Sequence, residues 1–181
     1  MPIVTVYGSS NPKPDSPDYT NAERVGLLLG EAGYTVMTGG YFGTMEAVSK
    51  GAKSAGAHVI GVTVGLFEGE GKRPGPNPYC DEIIRYDSLR DRLYHLVTRC
   101  DAAVALPGGI GTLSEVALTW SLIQVGEISP RPFVLLGERW RAFLTEYYDN
   151  GQYISQHYMN LWQVAEGPDD IVPLLQNWNY A

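Results

Sequence analysis

The strongest constraint on this chain is an alternation. Short apolar runs, most of them closed by glycine, take turns with segments whose apolar residues recur at helical spacing. Ile3–Tyr7 ends in Gly8-Ser9-Ser10, and Asn21–Ala32 follows with Ala22, Val25, Leu28 and Leu29 on one helical stripe, stopped by Gly33. Thr35–Thr38 runs into Gly39-Gly40, then Gly43–Ala55 reads as a helix closed by Gly56. His58–Val64 and Cys80–Tyr86 read as strands, and Ser88–Cys100 as a helix with Ser88 as N-cap and Asp91 in its first turn. Ala102–Leu106 is apolar throughout, as expected of a strand covered on both faces. Gly111–Val125 (helix), Phe133–Leu136 (strand), Glu138–Asp149 (helix ended by Asn150-Gly151), Trp162–Ala165 (strand) and Pro168–Trp178 (helix) complete the series. Gly65–Pro78 is rich in Gly and Pro, carries Glu68, Glu70, Lys72 and Arg73, and reads as a mobile loop.

Strands alternating with helices predict a doubly wound, Rossmann-like α/β fold: a parallel sheet of about six or seven strands with helices on both faces. No linker interrupts the pattern, so residues 1–181 read as one nucleotide-binding domain. Ligands of such sheets bind where loops leave the carboxyl ends of the strands.

Composition narrows the partners. A net charge of -7 lacks the dense Lys and Arg that a nucleic-acid backbone or an anionic membrane surface rewards. A small anion remains accessible, because free N–H groups at a helix start hold it without a basic surface. Cys80 and Cys100 lack metal-ligand spacing and read as reduced thiols of a cytoplasmic protein. The first residues show no basic segment before a long apolar core, and no run is long enough to span a bilayer. His58 and His157 show no partner in the sequence, so no metal site and no catalytic triad is expected, and no cofactor. Twelve Tyr and four Trp exceed what one small core needs, which points to a homodimer or higher homo-oligomer.

Two glycine-rich elements carry the chemistry. Pro107-Gly108-Gly109-Ile110-Gly111-Thr112-Leu113-Ser114-Glu115 follows the most apolar strand and opens a helix. Glycine lets backbone approach a ligand closely, the helix start supplies N–H groups and partial positive charge, and Thr112 adds a hydroxyl donor. Glu115 lies one turn into the helix, within reach of a ribose beside a phosphate. Gly39, Gly40, Gly43 and Thr44 make a similar offer of N–H groups, with Glu46 as a candidate second carboxylate, and Gly8 and Ser9 form a third contributor. In Ser88–His95, Ser88, Arg92 and His95 fall near one helical face, with Leu89, Leu93 and Leu96 expected toward the core. For Arg92 alone, a solvated charge is the simpler expectation.

Residues 107–115 match the proline–glycine–glycine–x–glycine–threonine–x–x–glutamate signature of the Lonely Guy family, nucleotide phosphoribohydrolases also labelled lysine decarboxylase-like. Gly39-Gly40-x-x-Gly43-x-Met45 resembles that family's earlier glycine element, and Arg92 falls nine residues before Asp101, where the family has its essential Arg. The resemblance runs from Val4 to about Gly137. The chain departs from the family at Leu93, where its hydrolases usually have Lys, at Glu46, where they have Gly, and at Thr38, where they have a third Gly. It therefore resembles a divergent branch.

The resemblance implies hydrolysis of the N-glycosidic bond of a purine nucleoside 5′-monophosphate, giving base and ribose 5-phosphate, with Glu115 acting at the ribose and Arg92 assisting. Positive charge develops on the sugar ring in that reaction, and a carboxylate near C1′ stabilises it and orients water. Other branches of the same fold imply an alternative: a non-catalytic carrier of a nucleotide or of molybdenum cofactor. Amino-acid decarboxylation fits poorly, because Lys50, Lys53 and Lys72 have no setting for a pyridoxal phosphate aldehyde.

Overall fold

The computed structural model describes residues 1–69, 75–148 and 152–179. Glu70, Lys72 and Arg73 of the expected loop, and Asp149-Asn150-Gly151 at the end of the fifth helix, lie outside the described residues. Seven strands form one all-parallel sheet: β1 (Ile3–Tyr7), β2 (Thr35–Thr38), β3 (Val59–Val64), β4 (Glu82–Tyr86), β5 (Ala102–Ala105), β6 (Phe133–Leu136) and β7 (Gln163–Ala165), ordered β4-β3-β2-β1-β5-β6-β7. Among the described residues the helices are α1 (Pro17–Glu31), α2 (Thr44–Ser54), α3 (Leu89–Thr98), α4 (Ile110–Gln124), α5 (Glu138–Tyr148), α6 (Gln156–Met159) and α7 (Ile171–Gln176), with short 3₁₀ turns at Gly65–Phe67 and Pro168–Asp170.

The sheet is sandwiched. Val4, Val6, Val104 and Val134 face one layer with α1, α2 and α7, while Tyr7, Ala103, Ala105 and Leu135 face the other with α3, α4 and α5. This period-two split of the central strands, covered on both faces, explains why β1, β5 and β6 read as largely apolar runs, whereas the edge strand β4 keeps exposed Glu82, Ile83 and Arg85. Trp120 adds edge-on ring contacts to Tyr148 and Trp162 in the second layer.

Helix α1 begins four residues earlier than expected. Ser16 caps it, accepting from Tyr19 N at 3.3 Å, and Pro17 takes the first turn, where its missing N–H costs nothing. At the far end of the chain the expected continuous helix is instead a 3₁₀ turn followed by α7. Ser88 caps α3 as expected, accepting from Asp91 N at 3.1 Å.

Candidate functional site

The sheet order reverses between β1 and β5. The chain leaves β1 toward β2 and leaves β5 toward β6, so the two following loops part and open a crevice at the carboxyl ends. A cavity of about 650 Å³ fills it. Ser9 and Asn11 line it after β1, Pro107, Gly108 and Gly109 after β5, and Trp140 and Phe143 on α5. The Trp140 indole donates to Leu106 O at 3.3 Å, which ties α5 over the end of β5.

Helix α4 starts at this cavity. Gly109 caps it with no side-chain hydrogen bond, and Ile110 is 80% exposed at the cavity edge. Thr112 is buried, packed beneath Gly108 so closely that a Cβ there would collide with its hydroxyl. Ile110 and Leu113 face the cavity, whereas Thr112, Glu115 and Thr119 recur on a buried face of the same helix.

The earlier glycine element plays a different part. Thr44 donates to Ser9 O through both its amide (2.9 Å) and its hydroxyl (3.1 Å), and the Gly40 amide donates to Thr38 Oγ1 at 3.1 Å. These amides thus have partners inside the chain. Gly43 makes the latch possible: its φ is 70°, and a Cβ would strike the backbone of Ser9 and Ser10. Thr44 also lines a smaller adjoining cavity of about 110 Å³ with Asp18 and Pro107.

Arg92 is not solvated. It is buried with Leu96 and Val97, and Leu89, expected in the core, is 44% exposed. The stripe is rotated because Arg92 finds backbone acceptors in β3 and just past β2: its Nε donates to Val62 O at 2.9 Å and its Nη2 to Gly39 O at 3.4 Å. Gly39 leaves room for this arrangement, since a Cβ there would push the Arg92 guanidinium and the Met45 sulfur aside. Arg92 Nη1 stands 3.8 Å from Glu115 Oε1. Burial pushes the Glu115 carboxyl up to about 7, against the opposing pull of Arg92. Tyr7 OH and Thr119 Oγ1 lie 2.9 Å apart, and Thr119 donates to Glu115 O at 2.8 Å, which fixes the helix turn bearing the carboxyl.

Glu46 does not join this pair. Burial raises the Tyr19 phenol to about 12, and Glu46, hydrogen-bonded to it, adds to the rise. Asn77 is a site residue that sequence spacing does not reveal. It is buried, its amide donates to Gly40 O (3.1 Å) and Tyr41 O (2.9 Å), and its backbone N–H also reaches Gly40 O at 2.8 Å. Among the described residues no three His, Cys, Asp or Glu side chains converge on a metal-sized site, and no helix is long and apolar enough to cross a membrane.

Fold and site together define a doubly wound α/β protein with a cavity of small-molecule size at its switch point and a buried Arg–Glu pair on the other face of the helix that starts there. Residues 1–154 match the SLOG cluster4 family. An uncharacterized protein of Archaeoglobus fulgidus is 36% identical over 126 residues, covering 69% of this chain and 79% of its own. A cytokinin riboside 5′-monophosphate phosphoribohydrolase of Mycobacterium marinum is 30% identical over 175 residues, covering 92% and 89%. Among solved structures, the molybdenum cofactor binding protein from the phototrophic bacterium Rippkaea orientalis superposes with a TM-score of 0.76 at 27% identity, over 97% of this chain and 96% of that one. The chain belongs to the SLOG cluster4 family and is a relative of the Lonely Guy phosphoribohydrolases.

Proposed function

We propose that this protein hydrolyses the N-glycosidic bond of a purine nucleoside 5′-monophosphate, releasing the base and ribose 5-phosphate. The observation that carries this reading is the buried Arg92–Glu115 pair, placed one turn below the uncapped start of α4. The amides at that start take the phosphate. The sugar then lies over the turn bearing Glu115. As the glycosidic bond stretches, positive charge grows on the ring, and the ionised carboxylate stabilises it and orients the attacking water. Arg92, held by Val62 O and Gly39 O, keeps Glu115 partly ionised despite its burial and stabilises the departing base. The relative from Mycobacterium marinum, named for this activity on a cytokinin nucleotide, supports the reading over 92% of the chain.

The test is chromatography of AMP and N6-substituted AMP after incubation with the protein. Base release that depends on Arg92 and Glu115 is the expected result. Turnover surviving both Glu115→Gln and Arg92→Ala rules the mechanism out.

A carrier role has its own support: the likeness to the Rippkaea orientalis protein over 97% of the chain, and Leu93 where the hydrolases usually have Lys. A mass spectrum of ligand released on denaturation separates the two readings, because a carrier retains a phosphorylated ligand and liberates no base. Exposed Phe143, Tyr147 and Tyr153 support a self-associated form, which sedimentation velocity at low concentration tests.

A further inference from the structure

Two opposite charges line the large cavity without meeting each other. Arg139, at the start of α5, and Asp18, in the first turn of α1, both border it. Neither is in an ion pair or side-chain hydrogen bond among the described residues, although Arg141, two positions from Arg139, pairs with Glu138 at 3.0 Å. In a chain of net charge -7 a cation facing a cavity without a carboxylate partner is unusual, because acidic groups are plentiful.

α1 follows β1 and α5 follows β6, with β5 between them, and the two helices pack on opposite faces of the sheet, so Asp18 and Arg139 border the cavity from opposite sides. The uncapped start of α4, which follows the intervening β5, borders the same cavity as Arg139, so its amides and the guanidinium share one phosphate.

From this placement we infer that Arg139 and Asp18 read the two ends of the ligand: Arg139 takes the phosphate, and Asp18 accepts from an amino group on the edge of the base. The inference rests on the nucleotide reading above and adds ligand polarity and a preference among bases. A guanidinium matches phosphate oxygens with a two-pronged set of donors. An ionised carboxylate only accepts hydrogen bonds, so it favours a base edge carrying N–H and repels the phosphate. The reverse orientation would set phosphate against Asp18 and leave Arg139 facing an uncharged base. Apolar walls from Ile110, Leu113 and Phe143 suit the faces of a flat heterocycle between these ends.

Calorimetric titration tests the assignment, using the full chain carrying Glu115→Gln so that nucleotide is not consumed. The probes are AMP, adenosine (no phosphate) and purine riboside 5′-monophosphate (no amino group). Arg139→Ala is expected to weaken AMP binding about tenfold or more while leaving adenosine unchanged, with Arg139→Lys intermediate. Asp18→Ala is expected to remove the preference for AMP over purine riboside 5′-monophosphate. If AMP binds and both substitutions leave its affinity within about twofold, the end-reading roles are overturned and the nucleotide reading stands. If AMP does not bind at all, the nucleotide reading fails with them.

Discussion

Arg92 Nη1 and Glu115 Oε1 stand 3.8 Å apart, with both side chains shielded from water. At that distance the pair is loose, so burial dominates and the Glu115 carboxyl rises from its ordinary 4.5 to about 7. Folding therefore favours protonated Glu115. Between pH 4.5 and 7 the folded state binds more protons than the unfolded one, and this group's contribution to stability declines as pH rises through that window. Glu115→Gln mimics the neutral form. At pH 8 it is expected to be more stable than the parent by about 3 kcal/mol, with the gap shrinking as pH falls through 7 and nearly gone below pH 4.5. Urea unfolding at the two pH values checks this, and equal stability at pH 8 contradicts it.

The same elevation shapes turnover. If ionised Glu115 stabilises the sugar cation, activity follows the deprotonated fraction. The rate on AMP is then expected to level off above pH about 7 and to fall about tenfold per pH unit well below it. A rate that instead rises as pH falls from 7 to 5 would assign Glu115 a proton-donating role.

Much of this site is legible in the amino-acid sequence. The central strands can be read because both their faces are covered, and Pro107–Glu115 because glycine, threonine and an early glutamate sit together after an apolar strand. Ser16-Pro17 is also legible as a helix start, although apolar spacing alone places that start at Asn21. Arg92 is different. Its burial depends on Val62 O in β3 and Gly39 O just past β2, both distant in sequence, and no helical wheel contains them. Asn77 hides in a Gly/Pro-rich stretch for the same reason, since its partners lie 36 and 37 residues away. The role of α5 depends on β6 lying beside β5, which spacing does not encode.

Asn77 bears on how the earlier glycine turn holds its shape. Removing its side chain leaves Gly40 O with only the backbone donor and takes from Tyr41 O its buried amide partner. Asn77→Ala is expected to cost about 2–3 kcal/mol. Asn77→Asp is expected to be no better, because a carboxylate there faces carbonyl oxygens and has nothing to donate. Thermal melts of both variants read this out, and a well-tolerated Asp would show that the two side-chain bonds matter little.

Gly39 ties the fold to the chemistry most directly. Its missing Cβ leaves the space that the Arg92 guanidinium and the Met45 sulfur occupy. Gly39→Ala forces Arg92 aside, away from Gly39 O and from its place opposite Glu115. Overpacking of this kind costs about 1–3 kcal/mol, so the variant is expected to fold with a lowered melting temperature. Activity is expected to suffer more than stability: kcat on AMP drops about tenfold or more while KM changes little, because the start of α4, proposed above to take the phosphate, lies elsewhere. If the melting temperature falls and kcat is unchanged, Arg92 is a structural residue, and the catalytic assignment has to rest on Glu115 alone.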